Sequence, residues 1–203
     1  MNSNQAQYDW IFALQWLAVC ALGLLLGGMF AFASIWNVGA AVENAVGETA
    51  AYLALGGLFG AIFGLSANLG PGLLLQSRGL PGIRWILASI LAGALGAGFG
   101  IAFVFTFLEP DTLSEAVTGS MIGIFLGLPI GVGQWLALRP RNLLAGQWVL
   151  ISSLAFVIGV MIGLPLGGEG REWISLSVMG MLIGAITGLG VISSLRWRTE
   201  QAT

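Results

Sequence analysis

The sequence predicts an all-α integral membrane fold: six transmembrane helices in three repeated helical hairpins, with both termini cytoplasmic (N-in/C-in). Three observations predict it. Charged residues make up only 8% of the 203 positions and hydrophobic residues 57%. A water-soluble domain carries roughly 25% charged residues because its surface must be solvated, so most of this surface is expected to face lipid. Six apolar stretches are each long enough to cross a hydrocarbon core of about 30 Å, which takes roughly 20 helical residues. The charges between those stretches are segregated by side.

The spans fall at about residues 16–36, 52–75, 85–107, 117–138, 148–167 and 173–195, with no Asp, Glu, Lys or Arg inside any of them. Membrane β-strands would alternate in polarity over short segments, and these runs do not. The first stretch is expected to remain as an uncleaved span, because Asp9 precedes it where a secretory signal carries basic residues. The connections are short, so the chain reads as one six-helix membrane domain over 1–203.

The N-terminus, the second and fourth connections and the C-terminus carry Arg78, Arg84, Arg139, Arg141, Arg196 and Arg198 against Asp9 and Glu200, a net of +4. The opposite side carries Glu43, Glu48, Glu109, Asp111, Glu115, Glu169 and Glu172 against Arg171, a net of −6. Arginine is retained on the cytoplasmic side of a membrane, which predicts cytoplasmic termini. Trp10, Trp16, Trp85, Trp135, Trp148 and Trp197 fall near that edge, and Trp36 and Trp173 near the other. Indole rings favour the headgroup level, so all eight are expected as interfacial anchors.

The odd spans share a pattern: Trp, a small thiol or hydroxyl four residues on, and Gly eleven residues on. The instances are Trp16/Cys20/Gly27, Trp85/Ser89/Gly96 and Trp148/Ser152/Gly159. The even spans carry ladders of glycine at intervals of four, Gly56/Gly60/Gly64, Gly119/Gly123/Gly127 and Gly180/Gly184/Gly188, each followed by Leu. Repeat units at about 15–78, 84–141 and 147–198 follow. Spacing of four puts glycines on one helix face, where backbones approach closely. Gly60, Gly64, Gly123, Gly127, Gly184 and Gly188 are therefore expected at helix contacts.

The chain has no histidine, no lysine and one cysteine, Cys20. Histidine-ligated metal, haem and chlorophyll are excluded, as is Ser-His catalysis. Intramembrane charge, the mark of proton relays and voltage sensors, is absent from the spans, and no enzyme activity is expected. Two places depart from regular helix: Ser66-Ala67-Asn68-Leu69-Gly70-Pro71 and Leu128-Pro129 through Gln134. Proline removes a backbone donor and clashes with the preceding turn, which predicts a kink or break in both helices. Interrupted segments at corresponding positions of repeats point to binding sites. The candidate ligand-binding residues are Ser66, Asn68, Pro71, Pro129 and Gln134, with interhelical hydrogen bonding by Asn68 and Gln134 as the alternative role.

The segment Gly131-Val132-Gly133-Gln134-Trp135-Leu136-Ala137-Leu138-Arg139, followed by Trp148-Val149-Leu150, resembles an element of uncharacterised bacterial multi-pass membrane proteins. In those proteins a Gly-rich helix closes in Gln-Trp-Leu-x-Leu-Arg and the next helix opens with Trp. The resemblance implies a bacterial cytoplasmic (inner) membrane and no defined activity. The expected function is a non-catalytic scaffold or accessory subunit of a membrane complex, with the lipid bilayer and other membrane subunits as partners and no nucleic acid. The alternative is a small-solute component with a pocket near helices 2 and 4. In outline it is similar to the vitamin-binding subunits of energy-coupling-factor transporters, although the threefold repeat departs from them.

Overall fold

The computed structural model describes residues 3–108, 113–139, 146–168 and 170–201. Glu109, Asp111, Arg141 and Glu169 lie outside the described residues, as do the side chains of Asp9, Trp36, Arg196, Trp197, Arg198 and Glu200. The described chain is helical: α1 (Ser3–Val46), α2 (Glu48–Ser77), α3 (Gly82–Phe107), α4 (Glu115–Leu138), α5 (Gln147–Gly163) and α6 (Glu172–Gln201), with a 3-10 turn at Leu164–Leu166. The six α-helices each contain a segment long and apolar enough to cross a membrane.

Each helix packs on its sequence neighbours, and α6 packs back on α1, closing a six-membered ring. One end of the ring, the terminal end, holds the start of α1, the α2–α3 connection, the end of α4, the start of α5 and the end of α6. The opposite, distal end holds the α1–α2 connection at Gly47, the end of α3, the start of α4, the 3-10 turn after α5 and the start of α6. Leucine and phenylalanine cover the outside, as at Leu26, Phe30, Leu91, Phe99 and Leu150, all more than 60% exposed. Such a face is stable only in an apolar solvent.

The first helix is longer than its apolar stretch. It does not end near residue 36 but continues to Val46, 44 residues in all, or about 66 Å at about 1.5 Å per residue. Only Gly47 separates it from α2. Gly47 turns the chain at φ +81°, a conformation that costs little only without a Cβ. At the terminal end Gly79 (φ +71°) reverses α2 into α3, and the N–H of Leu80 donates back to the carbonyl of Leu75 at 3.0 Å. This closes the helix end in the manner usual for a left-handed glycine.

Neither proline interrupts its helix: α2 runs through Pro71 and α4 through Pro129. Of the expected kink or break, the break is overturned. One lost hydrogen bond is tolerated where adjacent helices hold the turn. Val19 of α1 packs on Gly70 and Ile86 of α3 on Gly72, on either side of Pro71, while Gly96 of α3 faces Pro129.

The glycine ladders lie at close contacts, and their partners alternate around the ring. A Cβ added at Gly60 or Gly64 would strike the backbone of Gly93 or Ser89 on α3; at Gly123 or Gly127 it would meet Phe156, Val157 or Ser153 on α5. At Gly184 and Gly188 it would meet Leu17, Cys20 or Trp16 on α1. Each even helix thus turns its ladder to the odd helix that follows, with α1 following α6. The odd helices turn Gly23/Gly27, Gly96/Gly100 and Gly159/Gly163 to the even helix that follows them.

Candidate functional site

Trp16, Trp85 and Trp148 are each 1% exposed, so their expected place at the membrane interface is corrected: they fill the middle of the ring. The Trp16 and Trp85 rings meet edge-on with centroids 6.0 Å apart, and Trp85 and Trp148 lie 5.3 Å apart. Phe12 extends the cluster at 5.7 Å from Trp16, and the Arg78 guanidinium covers Phe12 at 4.6 Å. The reason is the indole N–H. It needs an acceptor when buried, and each of the three finds one on an even helix.

Trp16 Nε1 donates to Thr187 Oγ1 on α6 at 3.0 Å, Trp85 Nε1 to Asn68 Oδ1 on α2 at 3.2 Å, and Trp148 Nε1 to Gln134 Oε1 on α4 at 3.0 Å. Gln134 Nε2 uses both hydrogens, donating to Asn68 Oδ1 at 2.8 Å and to Ser89 Oγ at 3.0 Å. Asn68 Nδ2 donates to the Gly64 carbonyl at 3.0 Å, and the Ser89 and Thr187 hydroxyls donate to the carbonyls four residues back. All these side chains are buried. The site is a lock of neutral dipoles that ties α1 to α6 and joins α2, α3, α4 and α5. In the absence of water each bond is retained because the alternative is an unsatisfied group.

The structure brings together three of the five candidate ligand-binding residues. Asn68 and Gln134 are partners in the lock, and Pro71 borders it. Ser66 points elsewhere, against Gly23 and Gly27 of α1, and donates to the Phe63 carbonyl at 3.2 Å. Pro129 is half-buried on the α3 side. The space between Asn68, Pro71, Gln134 and the three tryptophans measures about 10 Å³, close to the smallest volume that holds one water molecule. Ser152 Oγ borders it without a hydrogen-bond partner. A vitamin-sized solute does not fit there.

Trp16, Trp85, Trp148, Ser89 and Thr187 were not among the candidate residues. A second, larger space lies in the distal half of the ring, a cavity of about 340 Å³ to which all six helices contribute. Between the two spaces Phe63 and Phe156 approach across the ring, with centroids 6.2 Å apart. Comparison with known protein families, with curated proteins and with solved structures finds no match to this chain.

Proposed function

We propose that the chain is a non-catalytic scaffold or accessory subunit of a complex in a bacterial cytoplasmic membrane. In this reading its ring is three copies of one two-helix unit, and both termini lie in the cytoplasm. The observation that carries the reading is the lock. Asn68, Ser89, Gln134 and the indole N–H groups, buried at the centre of the ring, are spent on one another, with Ser152 the exception, and the helices meet through glycine at every interface of the ring. Such a centre gives rigidity and a fixed arrangement of helices. It leaves the apolar outer faces as the surface on which another membrane subunit would sit.

The repeat is supported by the two kinds of glycine contact, each occurring three times. The orientation rests on the arginines at the terminal end and the carboxylates at the distal end. The test of function is cross-linking in the native membrane followed by affinity purification and mass spectrometry. A membrane protein recovered in fixed ratio with this chain is the expected result. Recovery of the chain with no protein enriched above a mock purification would overturn the scaffold reading.

A further inference from the structure

The distal cavity measures about 340 Å³ and is lined by hydrocarbon: phenylalanines 32, 59, 63 and 105 with aliphatic side chains between them, Ser175 being the one polar residue. Exposure falls from its mouth to its floor. Phe32 and Phe105 are 46% and 44% exposed, whereas Phe63, Leu126 and Leu176 are 2%, 1% and 2% exposed. The cavity is therefore a bowl in the distal half of the ring, open on the side of Phe32 and Phe105 and closed at mid-ring on the Phe63 and Leu126 side chains.

Protein interiors are close-packed, and voids much larger than a water molecule are few. Water fills a void only where polar groups hold it, and apolar cavities stay dry or take apolar ligands. One serine hydroxyl cannot hold water throughout this bowl. An occupant with a polar body would lose its own hydrogen bonds inside. The wall also provides no charge with which to grip a headgroup, so any polar end must stay outside, at the mouth.

We infer that the bowl is a binding site for the hydrocarbon tail of a membrane amphiphile, which enters tail first from the side of Phe32 and Phe105 and reaches the Phe63–Leu126 floor. The chemistry is that of a flexible saturated or branched chain against aromatic and aliphatic walls. It is shared by acyl lipids and isoprenoid lipids. This site is independent of the scaffold reading and lies apart from the tryptophan lock.

The test uses the full-length protein in phospholipid vesicles containing a phosphatidylcholine with a photoreactive diazirine at the end of one acyl chain. Adducts are mapped by mass spectrometry. The expected result is labelling at the floor, at Phe63, Leu126 or Met179, in addition to the outward leucines Leu58 and Leu91 that any annular lipid reaches. Ile122→Trp narrows the bowl and should lower floor labelling at least tenfold while Leu58 and Leu91 are labelled as before. Met179→Phe is the second variant if the first does not fold. Competition by an unlabelled polyprenyl phosphate, stronger than by unlabelled phosphatidylcholine, assigns the tail to the isoprenoid class; the reverse order assigns it to acyl lipids. Labelling confined to the outward leucines with both the acyl probe and a diazirine-bearing prenyl probe would overturn the inference.

Discussion

Gln134 accepts from one indole and donates to two further side chains on α2 and α3, so its removal touches four helices at once. Gln134→Leu keeps the volume roughly constant but leaves the Trp148 N–H unpaired in the ring. Interhelical hydrogen bonds in membrane proteins average about 0.6 kcal/mol and reach about 1.7, so a loss of about 1–2 kcal/mol is expected in reversible unfolding in detergent. Trp135→Leu should be milder, because Trp135 is half-buried at the end of α4, packs on the edge of the tryptophan cluster and holds Arg139 by a cation–π contact at 5.3 Å, and the leucine keeps most of that apolar packing. Equal losses at the two positions would refute the lock. Combined with Asn68→Leu, the Gln134 change should be sub-additive by about 0.5 kcal/mol or more, since the two share a bond. Full additivity would mean that they do not act together. Asn68 and Gln134 were legible in the sequence as polar groups in apolar helices. The tryptophans were misplaced because a belt preference was applied residue by residue. The signal that would have corrected it is the interval: Trp, +4 and +11 fall on one helix face, and the +11 residue is a packing glycine, so the tryptophan shares the inward face.

At the scale of the helix, the ladders were legible as contact faces and their partners were not. Intervals of four in one helix place Gly60, Gly123 and Gly184 on a face, but nothing local says which helix that face meets. The contacts join the ladder of each even helix to the following odd helix. Gly60→Ile, Gly123→Ile and Gly184→Ile each force a branched side chain onto a neighbouring helix, and overpacking costs about 1–3 kcal/mol. Ala137→Ile, at the half-buried edge of α4, should cost less. Thermal scans in detergent read the difference, and similar tolerance at all four positions would remove the ladders from the interfaces. Of the kink or break expected at the prolines, the break does not occur, for a related reason. The expectation of a break weighed Pro71 and Pro129 against their own helices alone, whereas α1 and α3 pack on the turns that contain them.

For the molecule as a whole, six spans were legible because hydrophobic length and charge exclusion are properties of contiguous segments. The continuation of α1 to Val46 was not, since residues 37–46 lack the apolar run by which a span is recognised. Orientation is testable through Ala45 and Ser77, exposed near opposite ends of the ring. In a Cys20→Ala background, Ala45→Cys should react with an impermeant maleimide added outside intact cells, and Ser77→Cys only after lysis; the opposite pattern would invert the topology. Ring closure by α6 on α1 joins the two ends of the sequence and brings Trp16 to Thr187, so it is the feature on which the whole arrangement depends. An ideal Cβ at Gly28 lies 3.2 Å from Leu176 Cγ, about where the sulfur of a cysteine at 176 would sit. In the Cys20→Ala background, Gly28→Cys with Leu176→Cys should close an intramolecular disulfide on mild oxidation in membranes, seen as a linked peptide pair in a monomer-sized band. No bond, or one found only in dimers, would contradict the closed ring.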